Sequence, residues 1–222
     1  MRYIFQNTSS ILEENISYYN SIAGQYNNMV DKNSDKAVRE KVANRFCSIV
    51  QNAAVLDFGG GTGLDLKWLA ENNNQIFFCE PSKAMREIAI STCKNLLTQN
   101  IIFLDDLTAD FRQWKRHLPF VEKADAVLAN FAVLNCIPDI ELLFQNLGPF
   151  IKDGGNIIAL ILTKNFKRRL MSNFKSALRS VIFKVPLSLN NHLLRRWVGR
   201  IGRSPLKNEK NDIVLRLFIN VI

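Results

Sequence analysis

Short apolar runs alternate with longer amphipathic ones from Ala53 to Thr163. Ala53–Phe58 reads as a buried strand that ends at glycines, and Thr62–Glu71 as a helix with Leu64, Leu66, Trp68 and Leu69 on its inner side. Gln75–Cys79 reads as a second strand, followed by a helix over Ser82–Leu97 that Ser82 can cap. Asn100–Leu104 is a third strand, trailed by a short helix at Asp110–Arg116 that Pro119 ends. Ala124–Ala129 is a fourth strand, and Asp139–Leu147 a helix that opens on an aspartate. Lys152–Gly155 is a turn into the fifth strand, Asn156–Leu162.

Five β-α repeats with nearly continuous apolar strands predict a parallel sheet covered on both faces, an α/β doubly wound, mostly parallel Rossmann-like sheet. Such sheets bind ligands outside the carboxyl ends of their strands. Two helical stretches, Ser10–Val30 and Ser34–Val50, precede the core, with Ser34 as an expected cap. After it, Asn165–Leu178 and Asn191–Ile201 read as helices. Ser180–Leu189 is apolar but interrupted by Lys184 and Pro186, and Asp212–Ile222 is strand-like. The expected organisation is a helical cap over 1–52, a ligand-binding core over 53–163, and a basic helical lid with a last strand over 164–222. All three belong to one domain.

Composition leaves this picture intact, but charge divides the chain. The net charge is +9, yet residues 163–222 hold 14 Lys/Arg against only Glu209 and Asp212, a local +12. The first 162 residues therefore sum to −3. That split points to an acidic partner or surface for the tail. Cys47, Cys79, Cys93 and Cys136 show no paired spacing, so a disulfide framework or metal site is not expected. No apolar run approaches the ~20 residues that span a bilayer, and no leader is evident, which predicts a cytoplasmic protein.

The densest chemical signal is Val55-Leu-Asp-Phe-Gly-Gly-Gly-Thr-Gly63, between a strand and a helix. Glycines there let main-chain N–H groups approach a ligand. A phosphate-binding loop would need Gly-Lys-Ser/Thr where Leu64 and Asp65 stand, and a dinucleotide fingerprint fails at Leu64. The order Asp57, Gly59, Gly61, Gly63 resembles motif I of the class I S-adenosylmethionine-dependent methyltransferases, of the small-molecule type found in quinone and biotin pathways.

Glu80 ends the second strand, where such folds place an acid for the ribose hydroxyls. Cys79-Glu-Pro-Ser-Lys-Ala-Met85 is similar to the family's motif II, which implies that Met85 packs near adenine. The resemblance further implies an acid after the third strand for the adenine amine. Of Asp105 and Asp106 the family spacing favours Asp106, with Leu107 facing the ring. Asn130 follows the fourth strand and is a candidate to hold the cofactor or orient an acceptor, with Phe131 as a wall. Tyr18–Tyr26 resembles the family's Tyr-x-x-x-Ala-x-x-Tyr segment, which implies that Tyr26 closes over the cofactor. Family members finish with a sixth strand and an antiparallel seventh. Only one strand is readable here, so the tail is expected to be rearranged or truncated.

The cofactor implied is S-adenosyl-L-methionine, and no metal is implied. Methyl transfer from a sulfonium is an in-line displacement that needs positioning and exclusion of water more than a dedicated nucleophile. His117 and His192 fall in no motif, and the general base is unassigned. The expected acceptor is a small or lipid-like molecule, with an anionic or carrier-linked one suggested by the basic tail. Residues 164–203 also read as a peripheral membrane contact, because Phe174, Leu178, Val181, Ile182 and Phe183 interleave with Lys175, Arg179 and Lys184. Nucleic acid is the weaker reading of the tail. Two competing functions are a nicotinamide-dependent oxidoreductase and a non-catalytic methyltransferase-like partner subunit. Leu64 speaks against the first, and the intact glycine and Glu80 set against the second.

Overall fold

The computed structural model describes residues 8–94, 100–162, 206–208 and 211–220. Two helices, α1 (Thr8–Val30) and α2 (Asn33–Cys47), come first. The core then runs β1 (Ala54–Phe58), α3 (Leu66–Glu71), β2 (Gln75–Cys79), α4 (Lys83–Cys93), β3 (Ile101–Phe103), β4 (Ala124–Ala129), α5 (Ile140–Leu147) and β5 (Ile151–Leu162). Two further strands follow, β6 (Leu206–Asn208) and β7 (Asn211–Asn220).

The sheet order is β3-β2-β1-β4-β5-β7-β6, with β1 to β5 all parallel. Alternation along each strand divides the core between the two faces. Ala54, Leu56 and Phe58 of β1 join Leu12 of α1 and Leu143 and Leu147 of α5. Val55 instead joins Phe46 of α2, Leu66 and Leu69 of α3 and Ala89 of α4. Fully buried Phe46, Leu56, Phe78 and Trp114 each contribute about 1.5–3 kcal/mol by leaving water. The chain steps outward from β1 through β2 to β3, then returns to add β4 and β5 on the other side. The order therefore reverses between β1 and β4, and the crevice at their carboxyl ends is where this architecture binds ligands.

Local chemistry explains where elements begin. Ser82 caps α4 by accepting from the Met85 N–H at 3.3 Å, and Asp139 caps α5 through the Leu142 N–H at 2.9 Å. Ser34 does not cap α2; it lies in the first turn, and Lys32 takes the capping position without a side-chain bond. The helix expected from Thr62 starts only at Leu66. Gly61 and Gly63 have φ of +61° and +79°, which is incompatible with a right-handed helix. The segment expected as a helix at Asp110–Arg116 is one 3-10 turn, Phe111–Gln113, capped by Asp110.

The turn expected at Lys152–Gly155 lies inside β5. Gly154 takes φ of +77°, and the pairing slips between Ala124 opposite Ile151 and Ala126 opposite Asn156. An irregularity of this kind keeps a strand continuous where the sequence reads as a turn. The tail supplies two strands rather than one. β7 runs parallel to β5, with Asn156 opposite Val214 and Leu162 opposite Asn220, and β6 pairs antiparallel to β7. The seventh strand is thus parallel where the family pattern implied antiparallel. The helices expected at Asn165–Leu178 and Asn191–Ile201, and the apolar run Ser180–Leu189, lie outside the described residues.

Candidate functional site

The glycine loop turns at the carboxyl end of β1 and is tied to β2. Gly59 and Gly60 donate their N–H groups to the Cys79 carbonyl at 2.7 and 3.2 Å. A Cβ on Gly59 would meet Val133 at 2.5 Å, one on Gly60 the Phe78 ring at 2.2 Å, and one on Gly63 Leu66 at 2.8 Å. These three glycines serve the protein's own packing. Gly61 differs: a Cβ there would meet Met85 Sδ and Tyr26 only at ordinary contact distance, both at 3.9 Å. Its positive φ still selects glycine.

Glu80 locks this loop. Its Oε2 accepts the Gly61 N–H at 2.8 Å and its Oε1 the Ser82 N–H at 2.7 Å. Each oxygen keeps a further lone pair for a ligand hydroxyl. Burial pushes the carboxyl up to about 7, opposed by the Ser82 and Gly61 N–H groups and by Arg86. Arg86 Nη1 donates to the Glu80 carbonyl at 2.7 Å, and Nη2 pairs with Asp106.

Asp57 lies beneath the loop, fully enclosed, and its Oδ2 has no hydrogen-bond partner among the described residues. Burial holds its carboxyl well above the usual range, reinforced by Asp65 and Glu80 and opposed by Arg39. Asp65 is a hub: Trp68 Nε1 and Asn130 Nδ2 donate to it at 3.1 and 2.8 Å, and Arg39 stands 3.6 Å away. The Arg39 guanidinium also lies 3.9 Å over the Phe131 ring. Asn130 accepts the Phe131 N–H at 2.8 Å, and Phe131 and Ala132 adopt φ of +53° and +67°. Both ends of the Asn130 amide thus brace a strained turn at the end of β4.

These groups surround a cleft of about 950 Å³, counted to its open mouth. Gly59, Gly61, Glu80, Met85, Asn130 and Tyr26 line it, while Asp57 and Gly63 support it from below. Asp106 and Leu107 do not line it: the side chain of Asp106 is turned to Arg86 and is 67% exposed, and Leu107 is exposed. Asp105 accepts the Leu107 and Thr108 N–H groups at 3.0 and 2.8 Å, and that turn directs Asp106 outward. The acid after β3 that reaches the cleft is Asp110.

Helix α1 roofs the cleft with Leu12, Asn15, Ile16, Tyr19 and Tyr26. Asn20 pins it to α4, accepting from Ser82 Oγ at 2.9 Å and from the Ala84 N–H at 3.0 Å. Burial raises the Tyr26 phenol, partly offset by Arg39, and raises that of Tyr19 further. Arg39, Asp65 and Asp110 escaped the motif reading, whereas Tyr19 and Asn20 lie within the Tyr18–Tyr26 segment, which gave Asn20 no role. Asp65 was in view only as a residue that breaks the phosphate-loop pattern. His117 is exposed and outside the cleft.

Residues 56–157 match the model of a methyltransferase domain family. No curated protein matches the sequence. Among solved structures, the chain is similar to the DhpI–SAM–HEP complex, with a TM-score of 0.56 and 19% identity, covering 74% of this chain and 72% of that one. It is also similar to a Methanococcus maripaludis protein described as an S-adenosyl-L-methionine-dependent methyltransferase, with a TM-score of 0.55 and 16% identity over 92% and 89%. The cyclase SpnF aligns at a TM-score of 0.45 and 22% identity over 55% of this chain, which spans 42% of that protein's length.

Proposed function

We propose that the chain is a class I S-adenosylmethionine-dependent methyltransferase, in keeping with the methyltransferase-domain match over residues 56–157, and that it methylates a small-molecule acceptor held in the cleft under α1. The observation that carries this reading is the hydrogen bond from the Gly61 N–H to the buried Glu80 carboxylate, which joins the glycine loop and the acid at the switch point of the sheet.

The residues present fit the cofactor. Glu80 would hold the ribose hydroxyls through its remaining lone pairs, and Gly61 leaves the backbone approachable. Met85 and Tyr26 flank that glycine with apolar and aromatic surface. Asp65 places a carboxylate at the cleft that would face the ammonium and sulfonium of the cofactor, and Asp57, which burial holds toward its neutral form, keeps an unpartnered oxygen beneath the loop. When bound, S-adenosyl-L-methionine supplies the electrophilic methyl group.

The chain's own contribution is positioning and dryness. The Asn130–Asp65 bond at 2.8 Å fixes the turn after β4, and Phe131 is held against Arg39. Asn130 is therefore a positioning residue. Leu12 and Ile16 of the roof give the acceptor end of the cleft an apolar lining that would keep water from it. Enforced alignment of two reactants removes up to about 7–11 kcal/mol of barrier in favourable cases.

The test is to incubate the full chain with methyl-labelled S-adenosylmethionine and, separately, a small-molecule extract, total RNA and a denatured protein extract. Label should appear in the small-molecule fraction. Label confined to RNA or protein would replace the acceptor class.

A further inference from the structure

The cleft has two chemically unlike walls. The wall around Gly61, Thr62, Asp65 and Glu80 is polar and acidic. The other is formed by Leu12 and Ile16 of α1 with Phe111, Val133 and Ile137 from the loops after β3 and β4. Those five side chains are continuous with the apolar cluster under that face of the sheet. Accepting the methyltransferase reading, we infer that the acceptor is an uncharged, largely apolar molecule that seats against this second wall.

The polar groups bordering the wall carry no net charge. Asn15 donates to the Cys136 carbonyl at 3.0 Å, and the Tyr19 hydroxyl lies 3.7 Å from Cys136 Sγ. Burial keeps the Tyr19 phenol and the Cys136 thiol in their neutral forms. Among the described residues Asp110 is the carboxylate that lines this end, and Arg112 neutralises it through Nε and Nη2, at 3.0 and 2.8 Å from its two oxygens. A neutral acceptor therefore meets neutral walls.

An anionic acceptor meets the opposite. Arg39 is the cation that reaches the cleft among the described residues, and it is already shared between Asp65 and the Phe131 face. A carboxylate or phosphate placed here would lose its water beside Asp65 and Glu80, with no unshared cation among the described residues in return. The basic excess that suggested an anionic acceptor lies in residues 163–222 of the sequence.

Three probes on the full chain test the inference: S-adenosylhomocysteine by calorimetry, then 2-naphthol and 2-naphthoate by ligand-observed NMR titration at pH 7.5 with S-adenosylhomocysteine saturating. Naphthol should bind about tenfold tighter than naphthoate. Ile16→Glu should weaken naphthol about tenfold while leaving S-adenosylhomocysteine affinity within about twofold. Equal or tighter naphthoate binding, or an unaltered naphthol affinity in Ile16→Glu, would overturn the inference and leave the methyltransferase reading intact. Failure of S-adenosylhomocysteine itself to bind would instead strike that reading. If Ile16→Glu does not fold, the naphthol–naphthoate contrast on the unaltered chain decides.

Discussion

Glu80 must serve two demands that pull its proton in opposite directions. Burial favours the neutral acid, and the Gly61 and Ser82 N–H groups favour the anion. In the folded chain its value rises from 4.5 to about 7, so between those limits the native state holds a proton that the unfolded chain has released. Its contribution to stability is therefore fullest below about 4.5 and falls by about 3 kcal/mol as pH rises through 7. Cofactor affinity has the opposite trend, because ribose hydroxyls donate to the anion. Glu80→Gln should flatten the decline in stability, measured by urea unfolding between pH 5 and 8, and weaken S-adenosylmethionine binding by roughly 1.5–3 kcal/mol. An unchanged pH slope would mean that Glu80 is not the group that titrates.

Glu80 was legible because its role depends on its place at the end of a strand. Asp65 and Arg39 were not, since they act through partners distant in the sequence, such as Asn130. Asp106 shows the limit of spacing alone. The side-chain turn made by Asp105 decides which way the next carboxylate points, and a family interval does not contain that information.

At the scale of elements, α1 covers the site it must also let ligands enter. A polar tie to α4 is Asn20, whose Oδ1 accepts from both Ser82 Oγ and the Ala84 N–H. Removing that acceptor leaves the cap bond of Ser82 in place while freeing the roof. Asn20→Ala should speed amide hydrogen exchange in residues 8–30 and raise the KM for S-adenosylmethionine several-fold, with exchange in β1 and β4 unchanged. Protection that stays the same in α1 would show that apolar packing alone keeps the roof down. The caps at Ser82 and Asp139 were readable because capping is a local bargain between a side chain and the next turn. The late start of α3 and the continuity of β5 through Gly154 depend on left-handed glycines, which the apolar periodicity does not register.

Across the whole molecule, the order of strands decides where the two halves of the reaction meet. The doubly wound sheet was legible in outline, because parallel strands buried on both faces write continuous apolar runs. The placement of β7 beside β5 was not, since a parallel or antiparallel neighbour leaves the same alternation in the sequence. The reversal of strand order between β1 and β4 brings Gly61, Glu80 and Asn130 to one crevice although they lie far apart in the chain. That convergence makes a donor site, and the apolar wall beside it receives the acceptor. Calorimetric titration of the full chain with S-adenosylmethionine, and in parallel with NAD, tests the donor assignment directly. The account predicts saturable 1:1 binding of S-adenosylmethionine in the micromolar range, roughly −8 kcal/mol, and no heat from NAD. Binding of NAD in preference to S-adenosylmethionine, or of neither, would contradict it.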